Sequence, residues 1–255
     1  MSSEDELGEV LDELLNIPSE PQESRKLCDK CCRPEKVCLC PYLPGKPIPV
    51  SNKLIILQHP SEEKRCLRTA KILELSLPVD KFRVIKAKRF SAHKQPELAE
   101  ILKDHERTFL LFPGKSSQPL ETIDTRQPYN IVIIDGTWAE ARCIYHNSHD
   151  LKNMKKVVLN VQKRSNYVIR TQPTEESLST VETAAITLAH LENNQSIYDT
   201  LMKPLQALCT FQLEHGAVHH FSKEYLILNG LYNKPITRKI QKKLGNKQEI
   251  KYFIR

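Results

Sequence analysis

Glycine is scarce in this chain. It has 7 Gly among 255 residues and no Gly-x-Gly anywhere, against an average usage of about 7%. A Gly-rich dinucleotide fingerprint and a GxxxxGKS/T phosphate loop are therefore both excluded. Long apolar runs are lacking too. The longest stretches, such as Ile131–Ile134, are strand-sized, so no membrane span is expected. The acidic N-terminus lacks a basic segment followed by an apolar one, so it reads as neither a secretory signal nor an Arg-rich transit peptide. The location this implies is nucleus or cytoplasm, where the eight cysteines start as reduced thiols.

What is present is globular: 40% hydrophobic and 27% charged residues. The length suits one large domain or two small ones and buries a core without staples. Charge is unevenly placed. Residues 1–23 hold eight acids and no base, so the formal +7 of the whole leaves +15 on the rest. Residues 234–255 hold eight bases against Glu249 alone. A body this basic favours a polyanionic partner, with nucleic acid the commonest, although a solvated surface reads the same way. Leu7, Val10, Leu11, Leu14 and Leu15 are spaced for one helix face, and Pro18 and Pro21 then separate that segment from the body.

The body alternates strand-like and helix-like segments. Strands are expected at Leu54–Gln58, Phe82–Lys86, Thr108–Phe112, Asn130–Ile134 and Val157–Val161. Helices are expected over 61–75, 96–105, 138–145, 178–192 and 197–214, the last kinked at Pro204. This order predicts an α/β fold with a mostly parallel sheet and flanking helices. Ligands of such sheets bind at the carboxyl ends of strands. His59–Pro60, Pro113–Gly114 and Asp135–Gly136 all fall at that edge.

Two clusters carry chemistry. Cys28-x2-Cys31 and Cys38-x-Cys40 bring four thiols from two short turns, with Cys32 alternative to Cys31. That set can close a tetrahedron around structural Zn²⁺; an iron–sulfur site or a redox switch is the other reading. Cys66, Cys143 and Cys209 fall on expected helices and read as core residues. The second cluster is Asp135-Gly136-Thr137-Trp138, directly after an apolar strand and containing the only Trp. A loop carboxylate there can take a proton or bind an amine or hydroxyl. Gly136 permits close approach, and Thr137 can cap the next helix. The same residues also suit a plain strand–turn–helix junction with Trp138 in the core.

Asp135-Gly-Thr-Trp138 resembles the Asp-x-Thr-Trp motif of the DTW-domain family. Five further stretches resemble the family in its order: the four cysteines, His59-Pro-Ser-Glu62-Glu63-Lys-Arg65, Leu111-Phe-Pro113-Gly114, Tyr167-Val-Ile-Arg170 and Leu178-Ser-Thr-Val-Glu182. The resemblance covers about residues 25–235. Leu205–Gly216 and Asn229-Gly-Leu-Tyr232 look like the second of two eukaryotic branches.

The resemblance implies a tRNA-uridine aminocarboxypropyltransferase. Such an enzyme moves the 3-amino-3-carboxypropyl group of S-adenosylmethionine to N3 of a D-loop uridine and releases methylthioadenosine. It also implies a fold related to the knotted SPOUT methyltransferases, and a homodimer by analogy. The expected organisation is an acidic appendage at 1–24, a Cys-rich zinc module at 25–50, the DTW catalytic domain at 51–233 and a basic tail at 234–255. Asp135, Thr137 and Trp138 are the catalytic candidates, with Asp135 as base or as uracil-orienting group. Pro113, Gly114, Asp135, Gly136, Ser179, Thr180 and Glu182 are candidates for binding the cofactor. Ser179–Glu182 also fits a plain helix capping box. His59, Arg65 and Arg170 are candidates for the substrate side, with Arg170 able to pair the cofactor's carboxylate or a tRNA phosphate. The metal candidates are Cys28, Cys31, Cys38 and Cys40. Two other readings compete: an RNA methyltransferase using S-adenosylmethionine, and a non-catalytic zinc-module RNA binder.

Overall fold

Leu54, Ile55, Ile56 and Leu57 are all buried, because their strand is covered on both sides. The computed structural model describes residues 25–114, 116–160 and 164–236. The acidic appendage, most of the basic tail and Val161 lie outside the described residues. Six strands form one sheet: β1 Lys53–Gln58, β2 Phe82–Lys86, β3 Thr108–Leu111, β4 Gln118–Pro119, β5 Asn130–Asp135 and β6 Lys155–Val158. Their order is β2-β1-β5-β3-β6-β4, and every pairing is parallel. Alternate residues of each strand point to opposite faces. Leu54, Ile56, Phe109, Ile131 and Ile133 face one core; Ile55, Leu57, Leu110 and Val132 face the other. Two buried faces explain why these strands read as unbroken apolar runs.

The first core is closed by α1 Ala70–Ser76, α5 Thr180–Leu191 and α6 Gln195–Glu214. The second is closed by α2 Pro96–Lys103, α3 Trp138–Asn147 and α4 His149–Asn153. A last helix, α7, spans Lys223–Leu228. Helix α6 runs through Pro204 as one element of 20 residues. The α/β, mostly parallel expectation holds. No described helix is long and apolar enough to cross a membrane.

The structure corrects three local expectations. The helix expected over 61–75 is split into a 3-10 turn at Pro60–Lys64 and α1 from Ala70. Arg65 between them is extended (φ −82°, ψ 134°), since its side chain is drawn to Glu62 and Glu140 rather than along a helix. The fifth strand sits earlier than expected, at Lys155–Val158. Cys66 and Cys143 are exposed, not core. Cys66 lies in the helix break, and Cys143 lies on the solvent side of α3, where Ala141 and Ile144 take the buried positions. Cys209 is buried as expected.

The Cys-rich segment is welded to the sheet domain. Leu39, Ile48 and Val50 belong to the first core. Tyr42 meets Phe211 of α6 edge-to-face at 5.8 Å.

Candidate active site

Parallel register places the site. β1 and β5 pair so that Gln58 lies opposite Asp135, and both are the last residues of their strands. Leu54–Leu57 and Ile131–Ile134 are apolar, so polar side chains next emerge together at the carboxyl edge. Asp135 is 6% exposed. Its Oδ2 accepts the Gln58 Nε2 amide at 2.9 Å, and its Oδ1 accepts the Thr180 hydroxyl at 2.6 Å. Its backbone carbonyl accepts the His59 N–H at 2.9 Å. Both carboxylate oxygens are thus held by donors from separate elements, and each keeps a second lone pair for a ligand.

Gly136 sits in tight surroundings, where a side chain would push its neighbours by a few tenths of an ångström. A Cβ at that position would lie 3.2 Å from Glu140 Cβ and 3.4 Å from His59 Cβ. Thr137 caps α3 in a reciprocal box: its hydroxyl accepts the Glu140 N–H at 3.2 Å, and Glu140 accepts the Thr137 N–H at 2.7 Å. Arg65 then bonds both Glu140 oxygens at 3.0 and 3.2 Å and pairs with the buried Glu62. Burial alone would raise the Glu140 carboxyl; the Thr137 hydrogen bonds and the Arg65 charge outweigh it and hold the group below the usual range. Trp138 is 37% exposed at the start of α3, so it is a cleft residue and not a core one.

These residues border a cleft of about 470 Å³ at the sheet edge, within the range typical of small-molecule sites. Leu111, Phe112, Pro113, Ile133 and Ile134 give it an apolar side. Ser179, Thr180 and Thr183 bring the N-terminus of α5 to it, and Arg170 faces it from the loop before α5. No carboxylate lies within ion-pairing distance of Arg170 among the described residues. Tyr167 is buried in the wall, with its hydroxyl 3.4 Å from the Leu67 carbonyl, and burial pushes it up to about 12.

The cleft therefore gathers Asp135, Gly136, Thr137, Trp138, Pro113, Ser179, Thr180 and Arg170. Four other candidates lie beside it. Glu182 is 2% exposed and spends its carboxylate on Ser165, Asn166 and Ser179. It fixes the loop that carries Arg170. His59 Nδ1 accepts the Ser61 N–H at 3.2 Å and caps the 3-10 turn. Glu140 Oε1 lies 3.4 Å from the same nitrogen. Arg65 is engaged with its two glutamates, and Gly114 lies just past the cleft's Pro113. Sequence reasoning missed Gln58 and the Thr171–Pro173 and Lys223 wall. Only the strand register could have found Gln58.

The four candidate cysteines converge. Cys28 and Cys40 sulfurs are 3.5 Å apart, those of Cys31 and Cys38 are 3.6 Å apart, and all four lie within 4.8 Å of one another. A tetrahedral ion with bonds of about 2.3 Å would need sulfurs about 3.8 Å apart, so the set fits a metal ion. Cys31 is buried within it, while Cys32 is exposed in a left-handed turn (φ 56°) and outside the cluster. Backbone N–H groups of Cys31 and Lys30 draw the Cys28 thiol down to about 6; burial and the Cys28 sulfur push Cys40 up to about 12. One sulfur ionises readily and its neighbour then resists, a conflict that a cation resolves.

No solved structure matches the chain. The tRNA-uridine aminocarboxypropyltransferase 2 of Drosophila melanogaster is 46% identical over 235 residues, covering 92% of this chain and 94% of that protein. The enzyme of the same name from Macaca fascicularis is 45% identical over 234 residues, covering 91% of this chain and 78% of that protein. The tRNA-uridine aminocarboxypropyltransferase A of Arabidopsis thaliana is 26% identical over 219 residues, 75% of this chain and 82% of that protein. A DTW domain model matches residues 25–213, which include the cysteine cluster and all of the Asp135 cleft except Lys223, and the chain belongs to the DTW-domain family.

Proposed function

We propose that this protein transfers the 3-amino-3-carboxypropyl group of S-adenosylmethionine to N3 of a D-loop uridine in tRNA. One observation carries the reading beyond its relatives' names. The cleft holds a cation, Arg170, and a buried anion, Asp135, that are not spent on each other. A ligand with both an ammonium and a carboxylate suits such a cleft, and the amino acid end of the donor has both. Its carboxylate fits Arg170 and the N-terminus of α5. Its adenosine fits the apolar side at Leu111–Pro113 and Ile133–Ile134.

The donor brings a sulfonium that is already an activated leaving group. The protein's task is to place the γ-carbon against uracil N3 and turn the methyl away. Positioning of this kind can supply about 7–11 kcal/mol of barrier lowering. Asp135 accepts the N3 proton or holds the uracil while nitrogen attacks. Thr137 and Glu140 fix the start of α3, which carries Trp138, and its exposed ring would stack on the base. Cys28, Cys31, Cys38 and Cys40 would hold Zn²⁺, and a closed four-thiolate site would supply folding energy.

The finer fold reading also belongs to this proposal. An all-parallel sheet with no Gly-rich loop supports kinship with the SPOUT methyltransferases. Assembly as a homodimer and residence in nucleus or cytoplasm go with it. The decisive test incubates the protein with S-adenosylmethionine and unmodified tRNA, then identifies nucleosides by mass spectrometry. Uridine should gain an aminocarboxypropyl group as methylthioadenosine appears. A methyl gain, or no product from folded metal-loaded protein, would overturn the reading.

A further inference from the structure

A second cleft, of about 330 Å³, lies between the cysteine module and helices α1 and α6. Its charge is one-sided. Arg25, Arg33, Arg65, Arg68, Lys71 and His215 line it, and no acid does. Some of these charges are spent: Arg65 on Glu62 and Glu140, and Lys71 on Glu74 at 3.0 Å. Arg33 and Arg68 are not. Among the described residues Arg33 donates only its Nε, to the Val37 carbonyl at 3.0 Å, and its charge lies near the Cys31 and Cys38 sulfurs without a hydrogen bond to them. Arg68 has no hydrogen bond or ion pair among the described residues; its charge reaches Glu63 only from a distance. Both side chains are partly buried in the cleft wall, where guanidinium N–H groups with no hydrogen-bond partner among the described residues call for an anion.

The position of this cleft says which anion. Leu67 belongs to the walls of both clefts, and Arg65 lines the second while its guanidinium grips Glu140 behind the Asp135 loop. A polyanion whose reacting unit sits at Asp135 would therefore lay its adjoining phosphates past Leu67 and into the second cleft. We propose that this cleft, walled by Arg33 of the cysteine module and Arg68 before α1, binds the tRNA phosphate backbone next to the modified uridine. The inference rests on the transferase reading and extends it: the cysteine module becomes part of the substrate site.

Phosphate contacts reveal themselves through salt. Each one neutralised contributes about 0.7–0.9 to the slope of log K against log salt concentration. The test measures unmodified tRNA binding by the metal-loaded full chain at several salt concentrations. It compares wild type, Arg68→Gln, Arg33→Gln/Arg68→Gln and Arg33→Lys/Arg68→Lys, with unfolding temperature and metal content as controls. The single variant lies outside the cysteine module, so it reads the cleft even if the double variant folds poorly. The double Gln variant should weaken binding about tenfold and lower the slope by about 2, with S-adenosylmethionine affinity unchanged. The Lys variant should recover most of the slope. Unchanged affinity and slope in folded Arg68→Gln and double Gln variants would overturn the proposal. Tighter tRNA binding by the Gln variants would also overturn it, and would mean that the acidic residues 1–23 occupy the cleft. If wild type binds tRNA with the expected slope change but forms no aminocarboxypropyl product, the transferase reading falls and the cleft stands as an RNA site.

Discussion

At Asp135, a carboxylate is held by two neutral donors, both of which can reverse their roles. The Gln58 amide carries an acceptor oxygen beside its N–H₂, and the Thr180 hydroxyl can accept as well as donate. Asn at this position can therefore keep both partners, and Asp135→Asn should fold with an unchanged unfolding temperature. It loses the negative charge that takes or orients the N3 proton. The expected result is a fall in kcat of about 10²-fold, the low end of general base contributions, with weaker donor binding as well, because the donor's ammonium loses its anionic partner. A fully active, folded Asp135→Asn would remove this residue from the mechanism. Glu140 offers a second test, through pH. Its folded carboxyl lies below the ordinary glutamate range, since Thr137 and Arg65 stabilise the charged form more than burial opposes it. The stability it adds is therefore fully present above the unfolded value of about 4.3 and is lost as pH falls through the lower folded value. The gap in unfolding free energy between wild type and Glu140→Gln should be constant near neutrality and close on acidification below that range. A gap that widened in acid would contradict the assigned shift.

At the scale of elements, β1, β3 and β5 were legible because two-sided burial writes continuous apolar runs into the chain, whereas the edge strand β2, with exposed Arg83 and Lys86, mixes apolar with polar residues. The helix break at 65–69 was not legible. Its cause is a long-range pull from Glu140, 75 residues away, which no local period records. Gln58 was missed for the same reason, as strand register is a property of pairing and not of either strand. Ser179–Glu182 shows the opposite case. Its capping box was readable from spacing, and it is present at the start of α5. What spacing could not show is that Glu182 also takes the Ser165 hydroxyl and the Asn166 N–H, both at 2.7 Å. The helix start and the loop bearing Tyr167 and Arg170 are thus tied by one carboxylate. Glu182→Ala removes a cap and leaves a buried N–H unpaired, costing about 2–4 kcal/mol. Although Glu182 does not line the cleft, the loss should also weaken S-adenosylmethionine binding in calorimetry, since Arg170 is no longer held. Normal donor affinity in a destabilised Glu182→Ala would confine the residue to a purely structural role.

For the molecule as a whole, the question is whether the cysteine module is an independent unit. Its segment was separable in the sequence by composition, but the fold joins it to the body: Leu39, Ile48 and Val50 share one core with β1, α1, α5 and α6, and the Ile48 N–H bonds the Ser76 carbonyl at the end of α1 at 2.8 Å. A module with a separate core would melt apart from the sheet. This one should not. Chelation under reducing conditions leaves the cluster as four free side chains, with the Cys28 thiol drawn down by backbone N–H groups and the Cys40 thiol pushed up by burial. The loosened segment then uncovers the side of the core that Leu39 and Ile48 close. Metal removal is therefore expected to lower the temperature of a single cooperative transition for the whole chain. A small early transition followed by an unchanged main one would show the module to be independent. Because the Asp135 cleft is built from β1, β3, β5, α3 and α5, donor binding should survive mild metal loss below the melting range. tRNA binding should not, since Arg33 stands on the loop between Cys31 and Cys38. Loss of both affinities together, without unfolding, would show that the metal site supports the Asp135 cleft directly.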